Sequence, residues 1–133
     1  YVLDWGGQLE YEEMKKAMID YRVFFYTGTQ PASYTLTLIE AMMTGMPVVA
    51  IGKELGNSLF NKEQDTYEVG EIIINGVNGF ISNDINELTE YTKRLIEDYE
   101  LAKTIGKAGR ERAIELFGKE IIKQEWKEFL ETL

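Results

Sequence analysis

Two hydrophobic patterns alternate along the chain: short continuous apolar runs, and longer segments with apolar residues every three or four positions. The runs 23–26 and 47–51 predict buried parallel strands, because strands covered on both faces are apolar throughout. Helical spacing predicts helices over 10–20, 36–44, 85–96, 101–117 and 122–133. The alternation indicates an α/β fold, a Rossmann-like doubly wound parallel sheet.

Turn-forming residues predict where several of these elements end. Gly45 predicts a left-handed stop to the helix 36–44. The pairs Asn75-Gly76 and Asn78-Gly79 predict tight turns with positive φ. The polar stretch 52–66 contains two glycines and mixed charge, so we expect a loop there.

The last three helices carry further signals. Residues 84–87 resemble a capping box, which predicts a helix start at that point. Gly106 and Gly109 are expected to weaken the helix that contains them. Trp126 and Phe129 lie on the apolar face of the last helix, and we expect that face in the core, where the helix returns across the sheet.

Composition excludes several classes of function. The 133 residues suit one domain, 1–133. A net charge of −9 and no basic cluster along the sequence argue against a nucleic-acid partner or a polybasic membrane patch. The chain has no cysteine and no histidine, which excludes disulfides, the common zinc sites and histidine-based triads.

The apolar runs and the first residue of the chain lead to expectations about its location and its natural start. No apolar run approaches the roughly 20 residues that a membrane span needs, and no signal peptide is visible, so we expect a cytoplasmic location. The first residue is Tyr1 rather than Met, so we expect the natural chain to begin upstream.

The segment 31–50 carries the candidate chemistry. It is typical of a loop, a helix that begins between Ser33 and Thr35, and a buried strand. A helix start at the carboxyl end of a parallel strand is where phosphate-bearing ligands bind, because the unpaired amides of the first turn point there. Glu40 could then reach a sugar hydroxyl. Alternatively, Thr37 and Glu40 form a capping box, and Glu40 only satisfies a backbone amide.

Three motifs resemble one known family. They are Ile39-Glu40-Ala41-Met42 with the Gly and Pro-Val-Val that follow it, the segment 71–81 with its Asn-Gly-Phe, and the segment 106–113. Their order and separations are similar to those in the C-terminal, donor-binding domain of retaining glycosyltransferases of family 4 (group 1), which have the GT-B fold. Only part of that domain is present.

The resemblance implies a site for a nucleotide-sugar donor, UDP- or GDP-linked. It implies that Glu40 holds the ribose, and that backbone amides of Tyr34, Thr35 and Leu36 hold the diphosphate. It also implies transfer of a hexose to a saccharide or lipid-linked acceptor, held by an N-terminal domain that is absent here, and a role in polysaccharide biosynthesis. The resemblance requires no metal ion, and we expect no metal and no cofactor. No protein nucleophile, general acid or general base is assigned.

The donor-sugar part of the resemblance is incomplete. Ala32 and Ser33 fall where the family contacts the sugar, and Ala32 replaces a family glutamate that holds sugar hydroxyls. The family's glycine-rich turn maps to 33–35, which contains no glycine, and its basic diphosphate ligands belong to the absent part. A degenerate, non-catalytic domain that binds a nucleotide sugar or serves assembly is therefore the alternative function.

Other residues admit two interpretations each. Tyr34 stacks on the ligand or packs beside the strand. Glu71 belongs to the family loop near the ribose or merely ends a helix. Lys53 contacts phosphate or is solvated. Finally, residues 1–3 predict an unpaired sheet edge, through which the chain is expected to form a homodimer or to pair with a missing segment.

Overall fold

The computed structural model describes residues 9–28, 36–60 and 68–133. Within them, three parallel strands lie in the order β1-β2-β3, with helices on both faces. The elements are α1 (Tyr11–Asp20), β1 (Phe24–Tyr26), α2 (Leu36–Met43), β2 (Val48–Ile51), α3 (Lys53–Phe60), α4 (Val69–Ile72), β3 (Phe80–Ser82), α5 (Ile85–Glu97), α6 (Tyr99–Phe117) and α7 (Lys119–Glu131).

The strands predicted from the two apolar runs are confirmed, each one residue shorter at its amino end. Phe24 pairs with Val48, and Val49 pairs with Phe80, so β2 is the central strand of the described sheet. All four residues of β2 are buried. Coverage on both faces is the reason why this run contains no polar residue.

Alternate residues of β2 enter two separate apolar layers. One layer contains α2, α4 and the end of α6: Met18, Tyr26, Leu38, Ala41, Met42, Met46, Val48, Ala50, Val69, Ile72, Ile73 and Ala113. The other contains α5 and the start of α6: Val49, Ile51, Phe80, Leu88, Leu95, Ala102 and Ile105. The sheet is therefore sandwiched, and α6 contributes to both layers.

The helix α6 reaches both layers by passing the amino ends of the strands, at two glycines. A Cβ at Gly106 would clash with the carbonyl oxygen of Gly45, and a Cβ at Gly109 would lie 2.9 Å from the carbonyl oxygen of Asn78. The expectation that these glycines mainly weaken the helix is incomplete, because both permit close approach of two backbones.

The predicted loop 52–66 is wrong in its first half, where α3 forms; residues 61–67 lie outside the described part. A distant residue starts this helix: the Asn83 side-chain oxygen accepts a hydrogen bond from the Leu55 amide at 3.0 Å. Gly52 leaves room for that side chain, since a Cβ there would clash with it. A cap from 28 residues away leaves no local signal, so the sequence pattern did not predict the helix.

The prediction for the last helix is correct in its existence and wrong in its burial. Trp126 and Phe129 are 60% and 55% exposed, and none of the side chains of α7 is buried. Their rings instead contact each other edge to face, with centroids 5.9 Å apart. The helix packs mainly on α6. Both faces of the described sheet are already covered by other helices, so α7 has no sheet surface to return to.

The turn predictions are confirmed at Gly45 (φ 80°) and Gly76 (φ 78°). At Gly79 the prediction is wrong, since its φ is not positive. A Cβ at Gly79 would instead lie 3.1 Å from Ile73 and 3.3 Å from the carbonyl oxygen of Val48, so the glycine serves close packing.

The start of α5 is capped as predicted, but not by a full capping box. The Asp84 side chain accepts a hydrogen bond from the Asn86 amide at 2.7 Å. Glu87 does not reach back to the Asp84 amide. It accepts from the Ser82 hydroxyl at 2.6 Å, and that hydroxyl accepts from the Asp84 amide at 2.9 Å. Separately, none of the helices in the described ranges combines the length and the apolar character needed to cross a membrane.

Candidate functional site

The candidate site lies at the carboxyl ends of β1 and β2. Gly28 follows β1 with a φ of 82°, which a side chain would disfavour. The first described residue of α2, Leu36, is 61% exposed at the same end of the sheet. Ala32, Ser33, Tyr34 and Thr35 lie outside the described residues, so of the predicted site residues the structure describes Leu36 and Glu40. The backbone freedom needed at Gly28 was not anticipated from the sequence.

Glu40 lies one turn inside α2. Its side chain is partly buried, while Leu38, Ala41 and Met42 beside it are fully buried and fix the helix on the core. Thr37 is an internal residue of α2 rather than its cap, so the capping-box interpretation of Thr37 and Glu40 is wrong. Among the described residues, no hydrogen bond engages the Glu40 carboxylate.

The negative charge of Glu40 acts on α1. The pKa of Lys15 is raised, chiefly by its hydrogen bond to Glu12, and the charge of Glu40 adds a smaller upward contribution. The Lys15 ammonium lies 2.7 Å from the Glu12 carboxylate. No ion pair to Glu40 is seen among the described residues.

The far end of α2 is fixed by three contacts. The Thr44 hydroxyl donates to the Ala41 carbonyl at 2.7 Å and lies 3.4 Å from the Met18 carbonyl, which ties α2 to α1. The Arg110 guanidinium donates to the Met43 carbonyl. A cation at the carboxyl end of a helix also complements the helix dipole. These contacts anchor the carboxyl end of α2 to α1 and α6.

Lys53 is brought to the same edge of the sheet. It is the first residue of α3, directly after the carboxyl end of β2, and its side chain is exposed. No ion pair engages it within the described residues. Two helix starts and one cation thus meet at this edge, where partial positive charge suits an anionic ligand.

Glu71 lies on the short helix α4, which packs in the same apolar layer as α2. Its side chain is exposed, and its backbone carbonyl accepts a hydrogen bond from Arg112 at 3.3 Å. No described contact joins it to Glu40. Arg112 also pairs with Glu115 at 3.0 Å. Through Arg112, the motif 106–113 therefore links α6 to the backbone of α4.

Asn78 is the buried polar residue that shapes this loop. It is 4% exposed, its side-chain amide donates to the Ile72 carbonyl at 3.1 Å, and its side-chain oxygen accepts from the Ile74 amide at 2.7 Å. Asn75 similarly accepts from the Ile81 amide at 3.0 Å. Both side chains replace backbone partners in the turn before β3. The Asn-Gly-Phe signature is thus structural. Its sequence predicted a turn, but not the hydrogen bonds of the two asparagine side chains.

The arrangement suits an anion that carries hydroxyl groups. The first turn of α2 presents amides that have no partner within the helix, and a carboxylate lies one turn, or about 6 Å, further along. Amides and the helix dipole attract phosphate oxygens, whereas a carboxylate accepts hydrogen bonds from hydroxyls.

Comparison with known proteins gives a consistent result. The family model "Glycosyl transferases group 1" matches residues 2–112. Two solved structures are similar: sucrose-phosphate synthase (tll1590) from Thermosynechococcus elongatus, with 25% identity and a TM-score of 0.69, and Anabaena Alr3699/HepE in complex with UDP, with 28% identity and a TM-score of 0.68. Among curated proteins, no sequence matches.

These structures also confirm the predicted fold class, a Rossmann-like sheet of the GT-B type. The alignments cover 95% and 89% of this chain, but only 29% of each of the two solved chains. The residues described here therefore correspond to a part of a larger glycosyltransferase architecture.

Proposed function

The chain belongs to the group 1 glycosyl transferases, and from this premise we propose that it is part of a retaining hexosyltransferase that uses a nucleotide-diphosphate-sugar donor. One similar protein, Anabaena HepE, has been solved in complex with UDP, which supports this class of donor. The acceptor, a saccharide or lipid-linked sugar in polysaccharide biosynthesis, is proposed to bind to a domain outside this chain. The cytoplasmic location remains a prediction.

The observation that carries the proposal is the position of Glu40. The helix α2 starts at the carboxyl end of the sheet, Glu40 lies one turn inside it, and no described residue forms an ion pair with its carboxylate. We assign ribose binding to Glu40 and diphosphate binding to the amides of Tyr34, Thr35 and Leu36. Partly buried carboxylates form stronger charge-assisted hydrogen bonds than exposed ones.

In this function the site contributes electrostatics rather than covalent chemistry. The negative charge that develops on the leaving diphosphate is stabilised by the first-turn amides and by the dipole of α2. Lys53, at the same edge, adds a positive charge close to that group. Ser33 and Ala32 are proposed to lie beside the donor sugar, and no general acid or base is assigned.

The test is calorimetric titration of UDP and GDP into the longest natural form of the protein and its Glu40→Gln variant. This variant keeps the side-chain size and removes the charge. We expect binding weaker by ten- to a hundredfold, about 1.5–3 kcal/mol, because charge-assisted hydrogen bonds to the ribose are lost. Glu90→Gln, on the exposed face of α5, is the matched control and should bind like the wild type. Equal affinity in both variants would refute the role of Glu40.

The second candidate function is a degenerate domain that binds nucleotide without transferring sugar. It is favoured by one observation, the alanine at position 32. A methyl group makes no hydrogen bond to a sugar, so such a domain would bind UDP-glucose or GDP-mannose no more tightly than UDP or GDP. The same titrations measure this difference. A sugar-dependent gain in affinity would support the transferase.

A further inference from the structure

A cavity lies at the edge of the sheet opposite the candidate nucleotide site, at the amino ends of β1 and β2. Its volume is about 460 Å³, and it lies between the end of α1, the Gly45 turn and the first half of α6. Ligand sites in proteins commonly have about 300–1,000 Å³. The strands separate this cavity from the start of α2 by four residues, or roughly 13 Å. It is therefore distinct from the candidate nucleotide site.

The lining of this cavity is strongly cationic in a chain whose net charge is −9. Arg22, Lys103, Lys107 and Arg110 face it, against one carboxylate, Asp20. Three of the cations lie on α6 at spacings of four and three, so they share one face of that helix. The fourth, Arg22, joins them from the segment between α1 and β1.

The four cations differ in whether they already contact an acceptor of the protein. Lys107 lies 3.8 Å from the Glu111 carboxylate, and Arg110 donates to the Met43 carbonyl. Within residues 9–28, 36–60 and 68–133, no carboxylate pairs with Arg22 or Lys103.

Arg22 is also held in position. Its guanidinium carbon lies 4.9 Å from the centroid of the Tyr99 ring, so the side chain stacks on an aromatic face. A stacked guanidinium keeps its donors free at the ring edge, in the planar arrangement that matches phosphate oxygens.

We propose that this cavity binds a phosphate-bearing small molecule, held by Arg22 and Lys103, with Lys107 and Arg110 adding positive field. The proposal is independent of the donor site. The cavity has the size of a small ligand, and its cations come from two separate segments of the chain that line the same space. A phosphate group suits both the guanidinium fork and the lysine ammonium.

The test is titration with inorganic pyrophosphate at low ionic strength. We expect the double variant Arg22→Gln/Lys103→Gln to raise the dissociation constant at least about tenfold, because two charge-assisted contacts are lost. Both side chains are exposed, so the fold should tolerate the changes. Lys93→Gln/Lys127→Gln, which removes the same charge outside the cavity, is the matched control and should bind like the wild type.

Three results would overturn the proposal. The first is the absence of pyrophosphate binding to the wild type. The second is an equal loss in both double variants, which would indicate a non-specific effect of net charge. The third is competition by UDP together with weaker pyrophosphate binding in Lys53→Gln, which would place the anion at the carboxyl edge.

A second experiment distinguishes the phosphate group of a lipid from a free phosphate. Cosedimentation with phosphatidylglycerol vesicles, but with no binding of pyrophosphate, would refute a small-molecule site. Binding of pyrophosphate without cosedimentation supports it. Added salt should weaken pyrophosphate binding to the wild type more than to the Arg22→Gln/Lys103→Gln variant.

Discussion

Single glycines set the distance between α6 and the turns that precede β2 and β3. Gly106 faces the carbonyl oxygen of Gly45, and Gly109 faces that of Asn78. Gly45 itself has a φ of 80°, a conformation that side chains disfavour. At this scale the motif 106–113 serves close packing of backbones, and Arg112 links it to the Glu71 carbonyl in α4.

Gly106→Ala should therefore destabilise the protein, although alanine favours helices. Its methyl group would collide with a backbone atom, which cannot rotate away, and overpacking of this kind costs about 1–3 kcal/mol. The measurement is the free energy of unfolding in urea.

Gly70→Ala is the control, since nothing lies within 4 Å of a Cβ at this helical position. It should be neutral or stabilise by about 0.4–1 kcal/mol, because it reduces the entropy of the unfolded chain. Equal effects of the two substitutions would show that α6 does not approach the Gly45 turn closely.

At the scale of elements, α3 depends on a residue outside itself. The Asn83 side chain accepts from the Leu55 amide, and Gly52 leaves room for it. The segment that ends β3 and starts α5 thereby fixes the helix that follows β2. This link keeps the amino end of α3, and with it Lys53, at the carboxyl edge of the sheet.

We expect Asn83→Ala to lower stability by about 0.5–2 kcal/mol, the usual cost of losing an N-terminal cap. The loss should be local. Hydrogen exchange should accelerate at the amides of the first turn of α3, and much less in α5. Asn86→Ala is the control, because no side-chain hydrogen bond of Asn86 is seen within the described part of the chain. Unchanged exchange in α3 would contradict a capping role for Asn83.

At the scale of the whole molecule, two apolar regions remain uncovered by the described residues. β1 is an edge strand of the described sheet, and its central residue, Phe25, is 43% exposed. The helix α7 exposes Trp126 and Phe129. Unpaired strand edges and contiguous apolar surface both promote association.

The unpaired edge predicted at residues 1–3 lies outside the described residues, within which β1 is the edge strand on that side. We predict that the isolated chain self-associates through this side of the sheet. Sedimentation velocity over the low- to high-micromolar range should show a species larger than the monomer that grows with concentration. Phe25→Lys should restore the monomer, because charge on an edge strand opposes pairing. Phe129→Lys should not. The reverse pattern would identify α7 as the interface, and a monomer at every concentration would refute association.

Local patterns sufficed for much of the fold. Two of the three described strands and five of the seven described helices could be predicted, because burial on two faces, or on one face of a helix, imposes a period on the sequence itself. β3, α3 and α4 were not predicted. The stops at Gly45 and Gly76 followed from the φ that their turns require. The family could also be predicted from the sequence, because its motifs are short and contiguous. The match of the group 1 glycosyl transferase model to residues 2–112 confirms it.

The tertiary structure decided what depends on residues far apart in the chain. It started α3 from Asn83, left Trp126 and Phe129 exposed, and gave Gly79 and Gly109 their packing roles. The same holds for charge. The sequence contains no basic cluster, yet the fold places Arg22 beside cations of α6 that lie eighty residues away. A pattern along the chain records which face of an element is buried, whereas the partner of that face, and the charges gathered there, are fixed only when the elements pack.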